Sequence, residues 1–550
     1  MGDESFDYVI VGGGSAGCVL ANRLSEDRSI RVLLLEAGGA DWSPMFRIPA
    51  GTMKIGGQYD WQYPGEPDDS RTGSPTVWPA GKVLGGGSSI NAMFWSRGNP
   101  RDFDAWAASG CTGWSYDDVL PYFKRSETFE GSGDGFRGKD GPQHVSPLRM
   151  AHPLTDVFVE AAGQAGFAFN ADYNGARQEG VSYAQYSQKR GLRDSTSRAY
   201  LSRARLRRNL TVWTGAVARK VVFEGTRAVG VELVRGRRGV QTVRAAREVL
   251  LAAGAFGSPK LLMVSGVGAA EELRRHGITV VADRAEVGRN LQEHPYAPMM
   301  YGVTIPTMNV DTSPLALVKH ALNFAIRRRG PVTSGGVHAV IFDRLAPDAP
   351  LPEIEILFAP FGVSSGTEEQ EDEGEFSHDV HAMKLAAVAS ATVYPSVAHP
   401  VGRGTVRLRS ANPDDAPVID HRMLGDAADV ATLMAAVRKV REIFGTEAMK
   451  KYVANEMLPG DAVNDDAELE GFLRAACFGG NHPVATCRMG GDEDAVVDTE
   501  LRVRGVQGLR VIDGAAMPSL ITGHTNGPIV MMAEKASDLI KAARASAPHS

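Results

Sequence analysis

The chain has 550 residues, 43% of them hydrophobic, and a formal net charge of −6; that length predicts more than one hydrophobic core, and the acidic balance argues against a nucleic-acid partner. Four cysteines (Cys18, Cys111, Cys477, Cys487) form no Cys-x-x-Cys pair, so neither a disulfide framework nor a zinc site is expected and no metal is assigned. No apolar run reaches the ~20 residues of a membrane span, and the first strand pattern starts too near Met1 for a signal peptide, so the expectation is a cytoplasmic protein without an integral membrane segment.

Asp7 to Val11 reads as a buried strand and runs into Gly12-Gly13-Gly14-Ser15-Ala16-Gly17. An apolar helix pattern follows, then a second strand from Arg31 to Leu35 that ends in Glu36 and Ala37. This is the Gly-x-Gly-x-x-Gly turn of a dinucleotide site. Gly12 allows the tight turn, Gly14 lets backbone approach a pyrophosphate, and Gly17 lets helix and strand pack closely. The helix N-terminus offers free N–H groups to phosphate. Glu36 stands about 20 residues beyond the turn, where an acid accepts hydrogen bonds from ribose hydroxyls.

Residues 40 to 100 are rich in Gly, Pro and Trp and read as extended loops. Within them, Pro79 to Asn91 holds Gly85-Gly86-Gly87-Ser88-Ser89, a second run of backbone N–H groups suited to a flat or anionic ligand. Residues 210 to 254 alternate as strands. Leu210–Trp213, Lys220–Phe223 and Val229–Val234 are expected to form a meander, and Glu248–Ala253 a fully buried strand. A short helix follows Gly254. Residues 300 to 475 carry no nucleotide motif, several proline-bounded strands and a helix near 427–445. Residues 364 to 379 are acid-rich, and a solvated loop is favoured there over a substrate lid. Leu509–Ile512 reads as a buried strand ending in Asp513-Gly514, followed by a helix over 528–544. If that strand rejoins the first sheet, the nucleotide domain is discontinuous. No second Gly-x-Gly-x-x-Gly occurs, so a single dinucleotide is expected.

Five segments in order resemble the glucose-methanol-choline (GMC) oxidoreductases, FAD-dependent alcohol oxidases and dehydrogenases. They are the opening turn, Gly81 to Asp104, Gly254 to Gly268, Asn481 to Gly490, and Met517 to Lys535. The resemblance implies an α/β (α+β overall) architecture. A Rossmann-like FAD domain would comprise 1–155, 191–300 and 476–550. A substrate domain on an antiparallel sheet plus helices would comprise 156–190 and 301–475. It places FAD against Gly12, Gly14, Ser15, Ala16, Gly17, Glu36, Ala37, Val83, Gly86, Asn91, Ala92, Met93, Phe94, Val217, Asp513, Gly514, Thr525 and Asn526. Some members bond FAD covalently through a histidine at the position of Ile90. An alkyl side chain cannot form that bond, so non-covalent FAD is expected.

Oxidising an alcohol removes a proton from oxygen and a hydride from carbon, and the proton needs a base matched to neutral pH. The resemblance nominates His482 as that base and His524 as the partner that orients the hydroxyl, with hydride passing to the flavin N5. His294 is read as structural or flavin-proximal, Cys487 and Met531-Met532 as packing, and Trp95, Phe358, Phe361 and Tyr394 as ordinary core. The histidine pair tilts the substrate toward benzylic, allylic or furanic primary alcohols, with O2 or a quinone-type acceptor. Choline-type, other aliphatic or polyol oxidation is the alternative, with a hydroxynitrile lyase or a non-catalytic flavoprotein further off. Oligomeric state is not readable.

Overall fold

The computed structural model describes residues 4–72, 76–133, 135–236, 239–311, 313–364 and 384–546. The acid-rich stretch after Ser364 lies outside the described residues. Its main elements, in chain order, are β1 (Ser5–Val11), α1 (Ser15–Leu24), β2 (Val32–Leu35), α2 (Pro153–Gln164), β3 (Gly180–Tyr183), β4 (Leu210–Trp213), β5 (Ala216–Glu224), β6 (Arg227–Arg235), β7 (Val240–Leu251), α3 (Gly254–Val264), β8 (Met299–Val303), α4 (Pro314–Arg327), β9 (Ala339–Asp343), β10 (Ile354–Ala359), β11 (Ser390–Val397), α5 (Ala427–Phe444), β12 (Val453–Leu458), β13 (Leu509–Val511) and α6 (Asn526–Ser546).

Continuous apolar runs such as Val32–Leu35 and Val249–Leu251 are buried on both faces, which suits a parallel sheet covered by helices. The first sheet runs β4-β2-β1-β7-β6-β5, with β13 also on β7. The pairs β4–β2, β2–β1, β1–β7 and β7–β13 are parallel. β7 is long enough to serve two functions. Its first half pairs antiparallel with β6, and its second half carries β1 on one side and β13 on the other.

The expected meander is corrected here. β5, β6 and β7 form it, while β4 lies at the opposite edge, parallel to β2. Alternation marks β4 as a strand, but the Thr214-Gly215 step does not fold the chain back as a hairpin. It carries the chain past the end of β2, where the Gly215 and Ala216 N–H groups donate to the carbonyls of Gly38 (2.8 Å) and Glu36 (2.9 Å).

The second sheet is antiparallel, β12-β8-β11-β10-β9-β3, and Pro295–Tyr296 joins it through β11 and Phe478–Gly479. α2 and α5 cover it, contributing Phe158, Leu433, Val437 and Val440 to a core with Ile341, Ile356 and Val393. Each fully buried aliphatic side chain of this kind stabilises by about 1.5–3 kcal/mol. Among the described residues no helix is long and apolar enough to cross a membrane.

The chain's tail is locked onto its start by one buried carboxylate. Glu534 of α6 is fully buried and accepts from Arg23 of α1 (2.9 and 2.8 Å), Arg125 (2.8 Å) and the Tyr200 hydroxyl (2.8 Å). A buried carboxylate without such partners costs several kcal/mol, so these contacts fix where α6 sits. The N-termini of α1 and α6 meet as the Ser15 hydroxyl donates to Asn526 Oδ1 at 2.7 Å.

Candidate active site

A cavity of about 1400 Å³ opens at the carboxyl ends of β1, β2 and β7 and extends to the antiparallel sheet. That is where open α/β sheets bind ligands. Of the residues singled out from sequence, Gly12, Gly14, Ser15, Ala16, Glu36, Ala37, Gly86, Asn91, Ala92, Met93, Phe94, Val217, Asp513, Gly514, Thr525, Asn526, His482 and His524 line it together. Gly17 and Val83 do not. Val83 packs with Phe46 and Ile55 in a small apolar cluster. Ile90 is on the wall, and so are Phe361 and Tyr394, whereas Trp95 and Phe358 are core. The reading of Phe361 and Tyr394 as core is therefore corrected: the end of β10 and the middle of β11 turn these rings to the cavity.

The three glycines of the opening turn have different physical reasons. A Cβ on Gly12, at φ +104°, would stand 2.3 Å from the Ala252 carbonyl oxygen, and one on Gly17 would stand 1.9 Å from that of Gly12. Gly14 has φ −75°, which any residue adopts, and a Cβ there meets no protein atom closer than 3.9 Å. Gly87 likewise has free space around a Cβ, and both line the cavity. The protein's own packing does not require glycine at these two positions, and both leave open space on the cavity wall. Glu36 lies between the Gly13 N–H (2.9 Å) and the Gly38 N–H (2.7 Å), with each carboxylate oxygen taking one of them. Burial pushes its pKa up and these two donors pull it down. The cradle fits a dinucleotide.

Asp513 is tied into the frame more than into the cavity. Its carboxylate accepts from Gly254 N–H (2.8 Å), the Ser258 hydroxyl (2.6 Å) and Ala515 N–H (2.8 Å), joining α3 to the end of β13. Asn91 Oδ1 accepts from Met93 N–H (3.0 Å) and from Arg193 (2.9 Å). Met93 and Asn481 are non-glycine residues in the left-handed region, at φ 62° and 63°. Such strain persists where the surroundings enforce a geometry, and these two flank Phe94 and His482.

His482 and His524 stand with ring centroids 4.3 Å apart, and Phe94 covers His524 at 4.4 Å. His482 arrives on the tight Asn481 turn, and its backbone N–H donates to both oxygens of Glu293 at 2.9 Å. Its Nδ1 is 3.0 Å from Nδ1 of His294, whose Nε2 is 2.9 Å from the Ala398 carbonyl oxygen. A carbonyl only accepts, so His294 Nε2 carries the proton. Burial pushes His294 down to about 4, so the ring is neutral and its Nδ1 is a lone pair. His482 Nδ1 must then be the donor. Burial, then the neighbouring His524 and His294, holds His482 well below the ordinary histidine value. It is neutral, with its second nitrogen unprotonated, which is the form a general base needs. His294 is thus an immediate partner of His482.

His524 Nε2 lies 3.5 Å from Glu355 Oε1, and both atoms are buried without another hydrogen-bond partner. Glu355 takes the Tyr296 hydroxyl on its other oxygen at 2.5 Å. Burial opposes ionisation of Glu355, but His524, Tyr296 and His294 together hold its carboxyl below the usual range. The pair places a carboxylate behind His524, whose ring stands on the cavity wall.

Glu293, His294 and His482 also group their ligand atoms within 4.8 Å. The Glu293 carboxylate is occupied by the N–H groups of His482 and of His294 (2.8 Å), and the imidazoles by each other and Ala398. Hydrogen bonding accounts for this cluster. Glu293 and Glu355 were not singled out from sequence. The one signal was a carboxylate inside an apolar strand, Ile354-Glu355-Ile356-Leu357.

Two family models with the description GMC oxidoreductase match the chain, one over residues 6–296 and one over residues 400–533. The chain is 40% identical over 542 residues to the oxygen-dependent choline dehydrogenase of Brucella anthropi, covering 97% of this chain and 95% of that one. It is 39% identical over 544 residues to the alcohol dehydrogenase [acceptor] of Pseudomonas putida, again covering 97% and 95%. Among solved structures it resembles pyridoxine 4-oxidase from Mesorbium loti, with a TM-score of 0.86, 31% identity, and 98% and 99% of the two chains covered. With both family models matched across most of the sequence, and residues of both segments lining the cavity, the chain belongs to the GMC oxidoreductase family.

Proposed function

We propose that the chain is an FAD-dependent alcohol oxidoreductase in which His482 is the base and His524 the partner that orients the hydroxyl. The observation that carries this reading is the chain of contacts Ala398–His294–His482, which leaves the second nitrogen of His482 unprotonated on the cavity wall. FAD would be held without a covalent bond by the Gly12–Gly17 turn, Glu36, the Gly86 loop and the Thr525-Asn526 segment, and when bound it supplies the hydride acceptor. The protein's own residues do the rest. His482 takes the hydroxyl proton. His524, backed by Glu355, holds the oxygen and stabilises the negative charge that develops on it. Phe94 packs against the His524 ring and Tyr296 against the His482 ring, which limits how the pair can move. We also propose the discontinuous division into a cofactor domain and an inserted substrate domain. Pro295–Tyr296 and Phe478–Gly479 already belong to the second sheet, slightly outside the 301–475 bounds read from sequence.

The benzylic or furanic preference has less support than an aliphatic one. The relatives are named for choline and for alcohol, and beyond the histidines the wall carries Phe361, Val363, Leu385 and Val332, with Asp311, Lys319 and His320 at the mouth. Glu293 and Glu355 are buried behind the histidines and do not line the cavity. We therefore favour an uncharged, apolar primary alcohol. Choline is the second reading, supported by the identity to choline dehydrogenases. The acceptor is O2 or a quinone-type molecule. The test is anaerobic mixing of the yellow holoenzyme with a panel of alcohols that includes 1-octanol, benzyl alcohol and choline. Bleaching of the flavin by one of them, lost in His482→Ala while FAD is kept, is the expected result. Unchanged bleaching in that variant sinks the assignment.

A further inference from the structure

α4 stands between two environments. Leu317, His320, Ala321 and Asn323 line the mouth of the cavity, and Phe324 is buried beneath the helix. The opposite side carries Leu315, Val318, Leu322 and Ile326, exposed by 81, 57, 55 and 78%. Their spacing puts them in one stripe along the helix. Isolated exposed apolar residues need no explanation, but a contiguous patch marks an interaction surface. Among the described residues twelve large hydrophobics are exposed, and five of them, counting Leu317, belong to this helix. Trp42, 78% exposed, shares a crevice with Phe324 and Arg328 at the helix's C-terminal end.

Basic residues dominate the charge around the stripe, and the acid seated against the helix, Asp311, is paired with His320 at 2.7 Å. Lys319, Arg327, Arg328 and Arg329 lie on or directly after α4, and no Asp or Glu occurs between Asp311 and Asp343. This is a basic island on a chain whose net charge is −6. A short apolar stripe flanked by Lys and Arg, on a helix with no acid of its own, is the composition of a helix that lies in the headgroup region of an anionic bilayer. The helix has 14 residues, too few to span. A symmetric second copy on the same face would set its arginines against those of the first, which disfavours self-pairing.

We propose that α4 seats the mouth of the cavity on an anionic lipid surface, its apolar stripe in the headgroup–acyl boundary and its basic residues among the headgroups. An apolar alcohol or acceptor dissolved in the lipid then reaches the cavity past Leu317 and Ala321 without crossing bulk water. Docking and alcohol oxidation are separate properties, and either can fail alone.

The test is co-sedimentation of the FAD-loaded full chain with vesicles of phosphatidylcholine, alone or with about 30% phosphatidylglycerol. Binding to the anionic vesicles, weakened by salt, is expected. The triple variant Leu315→Ser, Leu322→Ser, Ile326→Ser and the double variant Arg327→Gln, Arg329→Gln should each bind at least about tenfold more weakly while keeping the wild-type melting temperature. If the triple variant does not fold, Ile326→Ser alone reads the same surface with a smaller loss. Absence of wild-type binding at low salt, or equal binding by the variants, overturns the proposal. A dimer in sedimentation that the triple variant dissolves, without vesicle binding, also overturns it and assigns the stripe to a second copy.

Discussion

Nδ1 of His294 and Nδ1 of His482 face each other across 3.0 Å, and the Ala398 carbonyl on the far side of His294 decides which of them holds the proton. A residue that never touches substrate in this arrangement therefore selects the tautomer of the one that does. Removing the acceptor frees His482 to take either tautomer. His294→Ala should lower the rate of anaerobic flavin reduction by about 10–100-fold, part of the 10²–10⁴ that a positioned base contributes. Bound FAD should be unchanged. His294→Gln, whose amide oxygen can accept from His482, should recover part of the loss. The pH profile separates this role from a structural one. Burial holds His482 below 6.5 in the wild type, so the rate should stay level through neutral pH and fall only on further acidification. In His294→Ala, with more water beside the ring, the fall should begin at higher pH. Stopped-flow reduction over a pH series checks both.

Glu355 offers a second test. His524 Nε2 and Glu355 Oε1 are 3.5 Å apart and have no other hydrogen-bond partner, so each depends on the other. Glu355→Gln keeps the shape and an acceptor for Tyr296 but removes the charge. The reduction rate should fall about tenfold or more, with a smaller change in KM, because the charge on the substrate oxygen develops only as its proton leaves. Steady-state kinetics with a dye acceptor would show it; an effect on KM alone would place Glu355 in the fold and not in the chemistry.

The two ends of this site differed in how plainly the sequence showed them. The opening turn was legible because its chemistry is local. Gly12, Gly14 and Gly17 act within one strand–helix corner, and spacing alone separates their roles. His482 and His524 were legible only through resemblance to a family motif. Of their supports only His294 was marked, as structural or flavin-proximal; its contact with His482 and the places of Glu355 and Ala398 depend on pairings between residues far apart in sequence, and strand periodicity does not name a strand's neighbour. β4 shows the same limit. Its alternation revealed a strand, yet its partner was β2 and not the adjacent β5. Phe361 and Tyr394 read as core because an aromatic ring on a cavity wall has the same pattern as one in a packed interior.

The linkage of buried histidines to stability can be read at His338. Its Nδ1 meets the Thr155 hydroxyl at 3.2 Å and its Nε2 the Ser334 hydroxyl at 2.9 Å, and burial pushes it down to about 3. A histidine pKa depressed by folding gives stability that is complete above the unfolded value of about 6.5 and is lost as pH falls toward the folded one. His338→Gln keeps both hydrogen-bonding ends and removes the titration. The variant should be less stable than wild type at pH 7, and the gap should close on going to pH 5. Melting temperatures of both proteins at the two pH values check it, and the comparison cancels the other groups that titrate in this range.

Ile90 stands on the cavity wall where a histidine would be needed for a covalent flavin. Acid precipitation of the holoenzyme should leave a colourless pellet and all of the FAD in the supernatant. Yellow colour retained in the pellet would mean another side chain bonds the flavin.

The opening turn supplies the sharpest contrast. Gly17 and Gly14 belong to the same motif, and the sequence already assigns one to packing and the other to phosphate approach. Here the reasons separate. A Cβ at Gly17 would lie 1.9 Å from the Gly12 carbonyl oxygen, a backbone atom that cannot move without displacing β1 against α1. Gly17→Ala should therefore damage the apoprotein itself, lowering its melting temperature or preventing folding whether FAD is present or not. At Gly14 the backbone is at φ −75° and the nearest protein atom to an added Cβ is 3.9 Å away, so alanine costs the apoprotein little. What the methyl group occupies is the space at the N-terminus of α1 where phosphate would approach. Gly14→Ala should keep the apoprotein's melting temperature and weaken FAD binding at least about tenfold, since the N–H groups at the helix start can no longer close on the anion. Equilibrium titration of the stripped protein with FAD, together with melting curves of both variants without it, measures the two effects apart. Equal loss of apoprotein stability in both variants would mean that Gly14 serves packing, and the pyrophosphate would then have to be sought elsewhere on the cavity wall.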